Sequence, residues 1–284
     1  MTTYAVTGAS GHLGHLAVAS LLDRGVPAEQ VVALARTPEK AADLGARGVP
    51  VRVADYDKPD TLGPALAGVD VLLLVSATDM GQRVAQHQAV VDAAKTAGVQ
   101  RIVYTSALRA DNSQLVLAPE HLATENLLRA SGLQFSILRN SWYIENYTDR
   151  ISQFVAQGEI IGAAGDTPFA GATRADYADA ATTVLLHDGH TGATYELGGT
   201  PFTMTDLAAA ITDASGTRVT YRNVSSAELL TALQSAGIPD GYAQVLVALD
   251  EATARGELDT DSGDLQRLLG RPTTPLADVV KRAL

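Results

Sequence analysis

Cysteine is absent from the 284 residues, which excludes disulfides, a thiol nucleophile and thiolate metal sites. Lysine is scarce, with only Lys40, Lys58, Lys95 and Lys281. The formal net charge is −11 and no basic run is visible. Nucleic-acid affinity comes largely from Lys and Arg neutralising phosphates, so a nucleic-acid partner is not expected. Long hydrophobic runs are also missing: Val69 to Val75 is strand length, far too short to span a bilayer. The opening Met1-Thr2-Thr3-Tyr4 passes straight into a strand, without the charged and apolar segments of a secretory signal. A soluble cytoplasmic protein without a membrane partner is the expectation. The six histidines (His12, His15, His87, His121, His187 and His190) are scattered, and no ligand spacing for a metal emerges. No strand-to-helix nucleophile elbow occurs, which sets a Ser-His-Asp hydrolase aside.

What is present reads as globular: 46% apolar and 19% charged residues. A chain of this length holds one large α/β domain, or a domain with a smaller appendage. Short β-type runs alternate with Ala/Leu-rich segments over the first 140 residues. Strands are predicted at Tyr4–Thr7, Val31–Ala35, Val51–Ala54, Val69–Val75, Arg101–Thr105 and Phe135–Leu138. Helices are predicted at His12–Arg24, from Thr37 onward, and at Pro59–Ala67, Val84–Ala97 and Pro119–Ser131. The strands are apolar throughout, as expected when helices cover both faces of a parallel sheet. The prediction is a doubly wound, Rossmann-type α/β domain over residues 1–142. A smaller C-terminal α/β substrate domain follows over 143–284, interleaved with the first around 170–200. In that second part helices are predicted at Asp176–Leu186, Thr205–Ala214, Ser226–Ala236 and Tyr242–Arg255, with strands at Thr194–Leu197 and Arg218–Arg222.

Between the first strand and the first helix stands Gly8-Ala9-Ser10-Gly11-His12-Leu13-Gly14. Gly8 permits the tight turn, Gly11 lets backbone N–H groups approach a pyrophosphate, and Gly14 lets the helix lie close to the strand. A ligand-free turn could show the same spacing. Its place between a strand and a helix is the context that dinucleotide binding demands. Thr7, Ser10, His12 and Leu13 belong to the same loop. An NAD-preferring fold of this class ends its second strand with an acidic residue for the ribose 2′-hydroxyl. Here Arg36 follows Val31–Ala35, and a guanidinium suits a 2′-phosphate. NADPH is therefore the expected cofactor, with NADH possible. Asp55 and Tyr56 follow the third strand, where a carboxylate can accept from the adenine amino group. Val75-Ser76 and Thr105-Ser106 end the next two strands and are expected to line the nicotinamide half, because ligands of open parallel sheets lie beyond the carboxyl ends.

These features resemble the NmrA-like atypical short-chain dehydrogenase/reductases, and within them the bacterial type 2 NAD(P)H:quinone oxidoreductases. The resemblance rests on Val6 to His15, Ala54 to Asp57, Gly81 to His87, Tyr104 to Ser106, Leu138 to Tyr147, Ile161 to Asp166, Ala172 to Tyr177, Tyr195 to Leu197 and Arg271 to Thr274. It spans nearly the whole chain. Triphenylmethane-dye reductases share much of the pattern at a greater distance. The larger superfamily relies on a Tyr-x-x-x-Lys pair for proton transfer, yet none of the nine tyrosines here has Lys four residues on. Aligned on Glu125, the Lys slot holds His121 and the Tyr slot Leu117. A ketone needs a proton donor as hydride arrives. A quinone yields a stabilised hydroquinone anion and needs mainly proximity and orientation. The resemblance thus implies flavin-free hydride transfer to a quinone, with a dye or another conjugated electrophile as an alternative acceptor. A dinucleotide-sensing regulator without catalysis is a further alternative. His121 could act as an acid or orient the nicotinamide ribose, or be a helix histidine with a local hydrogen bond. Asn140 could bond a quinone oxygen and Tyr143 could stack on the ring, although packing between the two parts would also explain Tyr143 and Trp142. Glu145, Asn146 and Tyr147 are further pocket candidates. Relatives of this fold are often dimers, so a homodimer is possible.

Overall fold

The structure, a computed structural model, describes all 284 residues. The first half alternates strand and helix: β1 (Tyr4–Val6), α1 (His12–Asp23), β2 (Val31–Ala35), α2 (Ala42–Ala46), β3 (Val51–Val53), α3 (Leu62–Leu66), β4 (Val71–Leu74), α4 (Arg83–Ala97), β5 (Arg101–Ala107), α5 (Ala118–Ala130) and β6 (Gln134–Asn140). The helices expected from Thr37 and at Pro59–Ala67 are shorter than the sequence suggests. Each opens as a 3₁₀ turn, Pro38–Ala41 and Pro59–Thr61, and reaches regular helix only at α2 and α3. Proline fixes φ and has no N–H to donate, so a first turn suits it well.

The second half adds α6 (Glu145–Thr148), α7 (Ile151–Gln157), β7 (Glu159–Gly162), α8 (Arg174–Leu186), β8 (Thr194–Leu197), α9 (Met204–Ser215), β9 (Thr220–Asn223), α10 (Ser226–Ser235), α11 (Asp240–Ala254), α12 (Asp264–Leu269) and α13 (Leu276–Ala283). Seven strands form one parallel sheet in the order β3-β2-β1-β4-β5-β6-β8. β7 and β9 make a separate parallel pair. The segment around α8 and β8 therefore returns to the large sheet after the chain has left it.

Successive side chains of a strand point to opposite faces, and here both faces are covered. Val6, Ala33, Ala35 and Leu73 join α1 and α8 in one core, with Leu13, Leu21, Tyr177 and Val184. Ala5, Val32, Leu34, Leu72 and Leu74 join α4 in another, with Val90, Val91 and Tyr104. Fully burying each such Leu or Val contributes about 1.5–3 kcal/mol, so neither face tolerates a polar strand residue without a partner. A third core holds Ile151, Phe154, Phe169, Phe202, Leu207 and Leu249 from the second half. A clamp ties the C-terminal segment to α8: Asp176, without exposure, accepts from Arg271 at 2.7 Å and from the Thr274 N–H at 2.9 Å. The sheet order reverses between β1 and β4, so the carboxyl ends of those strands diverge into a crevice.

Candidate active site

One cleft of about 660 Å³ runs from that crevice towards α11. At its floor the β1–α1 turn is drawn tight. Gly8 has φ +60°, and a Cβ on Gly14 would sit 2.4 Å from the Gly8 carbonyl oxygen and 2.8 Å from that of Thr7. Only a glycine lets α1 approach the strand end so closely. The α1 cap is Gly11, whose lack of a side chain leaves the first-turn N–H groups for an anion. Ser10, His12 and Leu13 line the same floor.

Arg36 is exposed at the end of β2, lines the cleft, and pairs with no carboxylate. Asp55 and Tyr56 line the next stretch. The Asp55 carboxylate accepts the Asp57 N–H at 3.2 Å and lies 3.3 Å from Lys58 Nζ. Tyr56 donates to the Val75 carbonyl at 3.0 Å. Val75 and Ser76 also line the cleft, but two sequence candidates stand behind its wall. Thr7 Oγ1 donates to the Leu73 carbonyl and accepts from the Val75 N–H at 2.9 Å. Thr105 Oγ1 accepts from the Ser76 N–H at 3.0 Å. Both hydroxyls stitch neighbouring strand ends together and are turned away from the cavity.

The far half of the cleft is built on β5, β6 and α5. Ser106 reaches the cleft while donating to Glu125 Oε1 at 2.7 Å. Glu125 has no exposure and takes two bonds from Arg139, at 2.8 and 2.7 Å. Asn140 presents a buried Oδ1 with no partner, and its Nδ2 is only loosely engaged, 3.5 Å from the Tyr143 hydroxyl. Tyr143 lines the cleft, with Tyr177 packed edge-on at 5.4 Å and the Arg174 guanidinium 5.4 Å above its ring. His121 lines the cleft too, its Nδ1 2.8 Å from the Tyr104 hydroxyl. Burial first, then the positive charge of Arg83, brings the His121 pKa down to about 3. Its Lys-slot position therefore holds a neutral imidazole near neutral pH.

Of the three residues expected after Tyr143, only Asn146 reaches the cleft. Glu145 accepts the Arg174 N–H at 2.9 Å at the start of α8. Tyr147 packs in the third core, 6.0 Å from Phe169. Sequence reasoning missed two sets of lining residues. One is the loop Thr78–Met80 with Arg83 and Gln86, next to the expected strand end at Ala77. His87 Nε2 accepts the Ala77 N–H at 2.9 Å, Arg83 donates to the Ala77 carbonyl at 2.8 Å, and Arg83 pairs with Glu120. The only signal for this set was the Gly81 to His87 stretch. The other set is an apolar wall formed by Leu115, Leu117, Tyr242, Val245, Leu249 and Leu258, with the anticipated Trp142 beside it. Helical periodicity marks α11 as a helix but does not say that Tyr242, Val245 and Leu249 on it line the cleft. No group of three or more His, Asp or Glu side chains is placed to hold a metal ion, and no helix is long and apolar enough to cross a membrane.

Residues 8–188 match the family described as NAD(P)H-binding. Quinone oxidoreductase 2 of Escherichia coli is 50% identical over 277 residues, which cover 97% of this chain and 96% of that protein. The crystal structure of the NADPH-dependent quinone oxidoreductase from the same organism, complexed with NADPH, superposes with a TM-score of 0.94 at 49% identity, covering 99% of both chains. The triphenylmethane reductase of a Citrobacter species, complexed with NADP(H), gives a TM-score of 0.94 at 39% identity, over 99% of this chain and 100% of that one. The glycine cradle, with no room for a Cβ at Gly14, the free first-turn N–H groups and the unpaired Arg36 fit a phosphorylated dinucleotide, and the chain belongs to the NAD(P)H-binding family.

Proposed function

We propose that this protein is an NADPH-dependent oxidoreductase that transfers hydride to quinones without a flavin. The observation that carries the reading is a single cleft that joins an anion-binding glycine turn and a free guanidinium to an apolar wall. The names of the relatives support it: an NADPH-dependent quinone oxidoreductase and a triphenylmethane reductase share the whole fold. NADPH supplies the hydride when bound. The first-turn N–H groups of α1 bind its pyrophosphate and Arg36 its 2′-phosphate, a charge-assisted contact. Asp55, Tyr56, Val75 and Ser76 shape the floor between them. Asn140, with Nδ2 barely engaged and Oδ1 unpartnered, and Tyr143, with its ring on the cavity, position the acceptor. No side chain of the cleft forms a Tyr-Lys acid pair, which suits an acceptor whose reduced anion is already stabilised. On the same reading the chain divides at residue 142, with the second part supplying the acceptor wall. The protein works in the cytoplasm, and a homodimer is its assembly.

The test is the loss of NADPH absorbance with purified protein, with and without a simple benzoquinone, with NADH in parallel. Quinone-dependent turnover that prefers NADPH is expected. Tight NADPH binding in a calorimeter without turnover on any quinone would instead make this a dinucleotide-sensing protein. Faster turnover of cationic dyes than of quinones would make it a dye reductase.

A further inference from the structure

Two histidines pack against the Tyr104 ring, His121 lining the cleft and His87 behind its wall, and their hydrogen bonds define opposite tautomers. His87 Nε2 accepts the Ala77 N–H, so its proton must sit on Nδ1, 2.9 Å from Thr124 Oγ1. Thr124 in turn gives its own hydrogen to the Glu120 carbonyl at 3.0 Å. At His121 the arrangement is reversed. Tyr104 is fully buried; its hydroxyl lies 2.8 Å from His121 Nδ1, and the Thr124 hydroxyl is its other polar neighbour. Were Nδ1 protonated, the phenol hydrogen would be left to share a Thr124 oxygen that already accepts from His87, a poorer arrangement for a buried donor. With the phenol donating, Nδ1 accepts and the ring proton sits on Nε2. That nitrogen has no partner in the chain and is not among the polar atoms sealed from solvent.

We propose that Tyr104 locks His121 as a neutral Nε2–H donor, and that this donor binds the acceptor oxygen on which negative charge develops during reduction. Tyr104 is then a positioning residue and His121 the group that touches the acceptor. The inference rests on the quinone reading above. A ribose hydroxyl both donates and accepts, so it would take either tautomer, whereas a quinone oxygen only accepts and requires N–H. His121 is a donor and not an acid. With its pKa near 3, about one molecule in 10⁴ carries the second proton at neutral pH. As the acceptor gains hydride and the nicotinamide is oxidised, the electron pair displaced onto oxygen strengthens the bond from Nε2–H. The proton stays on His121, and the hydroquinone anion takes its proton from water.

The groups around His121 are Arg83 and His87 from α4 and Tyr104 from β5, with Glu120 and Glu125 on its own helix. Arg83 is paired with Glu120, Glu125 is held by Arg139 and Arg129, and His87 is neutral. Burial holds the pKa of His87, like that of His121, down near 3, so the neighbouring imidazole does not switch this donor near neutrality.

Long-range proton–nitrogen correlation spectra of histidine-labelled protein, without cofactor, read the tautomer directly. His121, assigned by its loss in His121→Gln, should show Nε2–H and should not titrate between about pH 5 and pH 8. Tyr104→Phe should yield a mixture of tautomers. In kinetics, His121→Leu should lower kcat/KM for the quinone about 10- to 100-fold, the scale of one lost oxyanion donor. NADPH affinity by calorimetry should change less than about 3-fold, and His121→Gln, which keeps a side-chain N–H, should restore most of the rate. An Nδ1–H spectrum, titration near neutrality, an unchanged rate in His121→Leu, or a loss confined to NADPH affinity would each overturn the proposal. Failure of the unmodified protein to reduce any quinone would instead sink the quinone reading and the acceptor contact with it, while the spectra would still decide whether Tyr104 locks the ring.

Discussion

A guanidinium at the end of β2 is a discriminating feature because it has nothing else to do. Arg36 is exposed, and no carboxylate of the chain is within ion-pair distance. A hydrogen bond to a charged group contributes about 1.5–3 kcal/mol, so Arg36→Ala should weaken NADPH binding about 10- to 100-fold. NADH has no 2′-phosphate, and its affinity should change less than about 3-fold. Isothermal calorimetry with both nucleotides checks this, and parallel losses for the two would remove Arg36 from the 2′-phosphate site. Arg36, Gly8, Gly11 and Gly14 were readable in the sequence because their roles follow from one strand, one turn and one helix in succession. Thr7 and Thr105 lie in equally suggestive places. Their side chains turn into the seams between strands, a matter of rotamer and register that residue order does not encode. Tyr242 and Leu249 reach the cleft from more than a hundred residues beyond β5, and only the tertiary fold brings them there.

At the scale of elements, β5, β6 and α5 are bound to each other by charge as well as by apolar packing. Glu125, on the inner face of α5, accepts from Ser106 of β5, from Arg139 of β6 and from Arg129 one turn on. On its other side Arg139 meets Asp111 at 2.8 Å and Glu196 at 2.7 Å. Removing one partner of a buried ion pair leaves an uncompensated charge and costs about 3–5 kcal/mol. Glu125→Gln should fall near the lower end, because Asp111 and Glu196 still hold one side of the guanidinium. Urea unfolding measures it, and a loss below about 1 kcal/mol would show the pair to be solvated like a surface bridge. The strands and helices of this half were legible because each is a strong apolar or helical run closed by Gly or Pro. The buried charges were not, since Arg139 ends an otherwise apolar strand and reads like a residue at its polar end. In the second half, α9 and α10 begin with complete capping boxes at Thr203–Asp206 and Ser225–Glu228, and both were placed correctly. The shorter α7, β7, α12 and α13 went unread. At four to eight residues each, they show too few turns or alternations for a period to stand out, and packing against the third core or α8 is what orders them.

For the whole molecule, the two neutral histidines couple the cleft to stability in acid. Burial first, with Arg83 second, lowers the pKa of both His87 and His121 from 6.5 to about 3. Once unfolded, each takes a proton below about pH 6.5, while the folded protein refuses it until about pH 3. The unfolded state therefore binds more protons across that window, so stability rises with pH there. It is fully present above about pH 6.5 and is lost progressively as pH falls towards 3. At pH 5 each histidine accounts for about 2 kcal/mol of that loss. The depressed carboxylates, such as Asp111 beside Arg139, add to it only below about pH 4. Urea midpoints should thus fall between pH 7 and pH 5, and the fall should shrink by about half in His121→Gln, which removes one of the two proton sites. Both histidines sit between α4, α5 and β5, where Ala77 and Tyr104 are their partners. The loop over the cleft should therefore loosen before the α1–α8 side of the sheet, and amide exchange at pH 5 should show Ala77 losing protection ahead of Val6 and Ala33. An equal fall in the urea midpoint with and without His121 would mean that its proton is not excluded by folding, and a uniform loss of protection would mean that acid acts on the molecule as a single unit.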